Sequence, residues 1–198
     1  MFKKIIISVP VALCLGLCLC HPTGPSSSSS KTVTLSMLKI LNTDVSGWSQ
    51  NTSDPKNGLF DASSLFTPLD GGAPNYTTTA GFSEALLEAM TGPTPNGSST
   101  AEVLYVTAGD YTSAANATTE FEFIKTQPSW SANSVSLTPD YADSIASGTS
   151  SNSDQISVCF HFNQFFIQLD FSGFPNLTTA KNTAISFIGL FEAKINGQ

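Results

Sequence analysis

The chain has 198 residues, 40% of them hydrophobic and only 12% charged, with a net charge of −7 and no arginine. An acidic chain without the guanidinium fork is repelled by phosphate backbones and lacks the usual device for gripping them, which excludes nucleic acid as a partner. With 14 Phe, and with 28 Ser and 22 Thr supplying most of the polarity, the composition is not that of a disordered chain.

In chain order, MFKK gives a positive start, IIISVPVALCLGLCLC a 16-residue apolar run, and HPTGPSSSSS a polar break with two prolines. This is the pattern of an export signal over residues 1–20. An uncleaved anchor is the alternative, but spanning takes ~20 apolar residues and Pro10 interrupts the run. Cys14, Cys18 and Cys20 lie too close together inside this run for a disulfide, and CxxxCxC with only His21 nearby lacks zinc-site spacing. The third reading is a lipobox. LCL–Cys20 fits it best, because the apolar run ends there, and LGL–Cys18 is the alternative. With leucine before the cysteine, the signal resembles lipoprotein signals of spirochaetes. That resemblance implies a lipid, such as palmitate, on Cys20, and a partner that is the membrane itself. An ordinary secreted protein with cysteines in its signal is the other option. Residues 21–31 read as a flexible serine-rich tether, and 32–198 as a single globular domain, a length that suits one core.

Residues 32–41 predict a strand or a lead-in segment. Asp61 is placed to cap a short helix over LFDASSLFTPLD. In FSEALLEAM, Phe82, Ala85, Leu86, Ala89 and Met90 recur at helical spacing. Residues 91–100 are a loop, and AEVLYVTA (101–108) predicts a buried strand. Asp110 is the expected cap of a helix running through Phe121. Residues 127–154 read as irregular, with one strand at Ser134–Leu137. QISVCFHFNQFFIQLDF (155–171) reads as a β-hairpin turning at Asn163-Gln164. The segment 175–195 predicts an amphipathic C-terminal helix with Leu177, Ala184, Ile185, Ile188 and Phe191 on one side. The expected class is α+β, an antiparallel sheet with helices packed on one face.

Across residues 46–172, Gly71-Gly72-Ala73, Tyr76 and Gly81-Phe82 follow an early tryptophan and precede a late aromatic strand. This order resembles an uncharacterised family of bacterial exported proteins with an Asn-Gly-Gly-Ala, Tyr, Gly-Phe pattern. The resemblance implies that Phe82–Met90 is a strand, against its helical spacing, and implies no activity.

The chemistry-bearing residues are few. Cys159 and His161 share one face of the hairpin's first arm, so a thiol–imidazole pair is geometrically possible, but a small side chain on a half-covered face is the expected role. Glu84/Glu88, Glu120/Glu122 and Asp140/Asp143 are carboxylate pairs local in sequence, which seldom face each other across a cleft as glycosidase chemistry needs. DxxD at 140–143 supplies too few oxygens for calcium. There is no G-x-S-x-G elbow, P-loop or HExxH, and a serine triad would have to use His161. Sequons occur at Asn51, Asn75, Asn96, Asn116 and Asn176. No catalytic residue, metal ligand or cofactor is assigned. The expectation is a non-enzymatic envelope protein with a binding or structural role, lipid-anchored at the outer membrane or surface. The phenylalanines of 160–171 and 187–191 allow a carrier of an apolar ligand as the alternative, and a hydrolase is the third reading.

Overall fold

The computed structural model describes residues 32–69, 72–132, 134–137, 144–149 and 154–197. The chain divides into units 1–31 and 32–198. The first unit, with Cys14, Cys18 and Cys20, lies outside the described residues, as do Asp140 and Asp143.

A single helical turn, α1 (Leu35–Leu38), opens the domain where a strand or lead-in was expected, and it buries Leu35 and Leu38. Strands β1 (Ser49–Gln50) and β2 (Gly58–Asp61) follow, then the short α2 (Pro74–Thr77). Asp61 does cap a turn, since its Oδ1 accepts the Ser63 and Ser64 N–H groups. Residues 62–69 nonetheless continue as turns rather than a helix.

FSEALLEAM is the clearest correction to the helical reading. It forms β3 (Glu84–Thr91), a strand as the family resemblance implied. Its helical spacing is accidental. β3 pairs with β4 (Val103–Asp110) on one edge and with both β1 and β2 on the other, and an apolar layer covers each of its faces, Leu86 and Met90 in one and Ala85 and Leu87 in the other, so residues 85–90 are all buried and the period-2 signal is erased. Ala, Leu, Glu and Met are among the best helix formers, but propensity differences are small and tertiary pairing overrides them. Gly81, just ahead, has φ +84°, and a Cβ there would sit 2.6 Å from the Tyr111 carbonyl oxygen, so only glycine fits.

Helix α3 (Ala114–Lys125) is present, but its cap is Ser113, whose Oγ accepts the Asn116 N–H at 3.2 Å; Asp110 instead ends β4. The 127–154 stretch holds more order than expected: α4 (Pro128–Ser131), β5 (Ser134–Val135) and β6 (Ser144–Thr149). The hairpin is β7 (Asp154–Phe162) and β8 (Phe165–Phe174), turning at Asn163 (φ +50°) and Gln164 as expected. The C-terminal helix α5 (Leu177–Asn196) is capped by Asn176, whose Oδ1 accepts the Thr179 N–H, and ends at left-handed Gly197.

The strands form one antiparallel sheet in the order β1-β3-β4-β8-β7-β6-β5, with β2 also on β3. The α+β class, the antiparallel sheet, the hairpin and the final helix are as expected. The helices, however, cover both faces rather than one. On the first face α1 and α5 pack Leu35, Ala184, Phe187 and Phe191 against Val106, Phe160, Ile167 and Phe171. On the second, α2, α3 and α4 pack Tyr76, Phe121, Ile124 and Trp130 against Leu87, Cys159 and Phe166. The reason lies in β3 and β8. Both carry apolar side chains at consecutive positions, Leu86-Leu87 and Phe165-Phe166-Ile167, so each face of the sheet needs a cover.

Candidate functional site

The second face is only partly sealed. Register sets three rows of residues across its central strands. Near the hairpin turn the row is Ala85, Gly109, Phe166 and His161; next come Leu87, Thr107, Gln168 and Cys159; then Ala89, Tyr105, Asp170 and Ser157. Helix α3 covers the turn end, where Phe121 lies 5.1 Å from the His161 ring. Away from the turn, apolar strands give way to Tyr105, Thr107, Gln168, Asp170 and Ser157.

These groups form a hydrogen-bonded chain. Tyr76 reaches across from α2 and donates its hydroxyl to Gln168 Oε1 at 2.9 Å. Gln168 Nε2 donates to Asp170 Oδ2 at 2.9 Å, and Ser157 Oγ donates to Asp170 Oδ1 at 2.5 Å. The Tyr76 carbonyl accepts the Tyr111 hydroxyl at 2.8 Å, which fixes α2 over the sheet. Burial raises the Asp170 carboxyl above its usual range, and the Ser157 and Gln168 bonds oppose that. Burial and the Asp170 charge both push the Tyr76 phenol upward, so it stays a donor. A cavity of about 210 Å³ opens over this chain, lined by Lys56, Tyr76, Leu87, Tyr105, Thr107 and Asp170, with Tyr105 44% exposed. An aromatic face beside a carboxylate, a lysine and hydroxyls suits recognition of a small polar ligand.

A second cavity of about 420 Å³ lies between α1, β1, β2 and β3, with Glu88 in its lining. Glu88 is 2% exposed; Oε2 accepts the Ile40 N–H at 2.9 Å and Oε1 accepts Gln50 Nε2 at 3.0 Å. Burial raises this carboxyl to about 7 against those bonds.

The residues singled out from sequence are placed as follows. Cys159 does share a face with Ser157 and His161, but α3 covers it completely, so the face is not half-open there. A thiolate at that position would form inside an apolar layer. Glu84 and Glu88 stand four residues apart along β3, about 13 Å. Glu120 is fully buried on α3, while Glu122 is exposed and pairs with Lys125 at 3.0 Å, so the two do not share a site. Among the described residues, no group of three His, Cys, Asp or Glu is placed to hold a metal. None of their helices is long and apolar enough to cross a membrane. Of the sequon asparagines, Asn116 donates to the Tyr111 carbonyl and Asn176 caps α5, so both do structural work. The phenylalanines proposed to hold an apolar ligand pack ring against ring: Phe171 and Phe187 at 5.6 Å, Phe160 and Phe191 at 6.2 Å, each at most 2% exposed. Both cavities lie elsewhere.

Sequence reasoning missed the Tyr76–Gln168–Asp170–Ser157 chain. The available signal was Gln168 and Asp170 at alternate positions of an otherwise apolar strand, FFIQLDF, which puts two polar groups on one face of a central strand.

The fold and cleft define an α+β domain with one antiparallel sheet between two helical layers. No protein-family model matches the chain, and no curated protein does. Among solved structures it is similar to the extracellular domain of PknH from Mycobacterium tuberculosis, at 12% identity and a TM-score of 0.49, over 80% of this chain and 94% of that one. A likeness at that level carries no functional argument.

Proposed function

We propose that this is an exported, lipid-anchored binding protein of a bacterial envelope, attached through Cys20 (alternatively Cys18), with residues 21–31 as tether and the cleft over β4 and β8 as its binding surface. The observation that carries the binding role is the Tyr76–Gln168–Asp170–Ser157 chain under an open cavity on the central strands. Polar groups there cost stability that apolar residues would supply, and neutral donors around one carboxylate suit binding rather than proton transfer. The anchoring role rests on the spirochaete-like lipobox and on the polar break after Cys20. Two or more acyl chains hold a protein on a membrane where one does not.

Anchoring is tested by mass spectrometry of the mature N-terminus in the native host. A diacylglyceryl-modified Cys20 or Cys18 supports it, and an unmodified N-terminus beyond residue 20 identifies an ordinary secreted protein. The cleft is tested by NMR with a panel of small polar compounds. Amide shifts clustered on Tyr105, Thr107, Gln168 and Asp170, and lost in D170A, support the reading. Shifts scattered over the surface refute it.

A further inference from the structure

The Glu88 cavity adjoins the cleft, since Leu87 and Glu88 line both, but it has a charge arrangement of its own, and this inference does not rest on the anchor. We propose that it binds a free α-amino acid with an apolar side chain: Glu88 takes the ammonium group, Lys39 the carboxylate, and Leu59 and Leu86 flank the side chain. A carboxylate set in a strand of alanines, leucines and methionine is costly unless matched. Its two protein donors, the Ile40 N–H and the Gln50 amide, are neutral. Each carboxylate oxygen has a second acceptor site, so capacity for an ammonium group remains.

The nearby cations are not equivalent. Lys194 and Lys39 both lie close enough to bias the Glu88 carboxyl. Lys194 is committed to Asp44 at 2.8 Å. Lys39 lines the cavity, is exposed, and forms no ion pair with a described residue. With Asp44 and Lys194 cancelling, the cavity presents one carboxylate and one ammonium, held apart. A simple amine would meet repulsion from Lys39, and a simple acid repulsion from Glu88; a zwitterion meets neither. Ser36, Gln50, Thr52 and Asn57 add hydrogen-bonding groups to the lining, and a volume of about 420 Å³ falls in the range of small-molecule sites.

The test is calorimetric titration of the full chain in mild detergent with each of the twenty L-amino acids, followed by the N-acetyl and methyl ester derivatives of the best binder. An apolar amino acid is expected to bind, and each derivative at least ten-fold more weakly. E88Q and K39M should each weaken binding at least ten-fold. Circular dichroism checks folding, and the exposed Lys39 keeps the test valid if E88Q loosens α1. The proposal is overturned if none of the twenty binds, if the derivatives match the parent, or if folded K39M binds as the native chain does.

Discussion

Glu88 and Glu120 carry carboxyl groups that burial raises to about 7, against 4.5 for an exposed glutamate. Glu120 accepts one bond, from Thr79 Oγ1 at 2.6 Å, and its Oε1 has no partner among the described residues. Tyr76 and Tyr111 feel its charge. A carboxyl raised on folding binds its proton more tightly in the native state. Its contribution is therefore full below about pH 4.5 and is lost as pH rises through 7. Asp44 and Asp61 are shifted the other way, so their contribution is lost at low pH. The domain is expected to be most stable near pH 4–5 and to lose a few kcal/mol, in order of magnitude, between pH 5 and 8. Urea midpoints across that range measure this. E120Q should flatten the slope markedly; an unchanged slope would place the effect elsewhere.

At the scale of elements, α5 depends on its cap and its stripe. Ala180, Ala184, Phe187, Ile188, Phe191 and Ile195 are its buried residues, spaced so that one side faces the sheet. Asn176→Ala should cost about 1 kcal/mol and lower Tm by about 2–4 °C, whereas Phe187→Ala should cost about 3–5 kcal/mol, both read from thermal melts. This helix and the hairpin were legible in the sequence because each buries one clear stripe or alternates around a recognisable turn. β3 was not, because a central strand loses its alternation and Ala85–Met90 then mimics a helix. β6 escaped notice because SIASGT has no apolar alternation to show. The cleft was hidden for another reason: Tyr76 meets Gln168 across 92 positions, and only the register of β4 and β8 puts Thr107 beside Gln168.

For the whole molecule, two apolar layers share one sheet. Trp48 lies in the layer under α5, against Phe187 at 5.2 Å, and Trp130 in the layer under α3. Since every central strand serves both layers, W48F and W130F variants, each reporting from the remaining tryptophan, should unfold in urea at midpoints that coincide once corrected for the substitution. Separate transitions would mean that the layers melt independently. The margins of the sheet carry a different consequence. It ends in two-residue strands on both sides, β1 and β5, and β3's outer flank is divided between β1 and β2. A long bare strand invites a neighbour to zip onto it; among the described residues β3's outer flank is instead taken up by the short strands β1 and β2. If such a domain is crowded at high density on a lipid surface, its copies can jostle against that margin without polymerising through the backbone of β3.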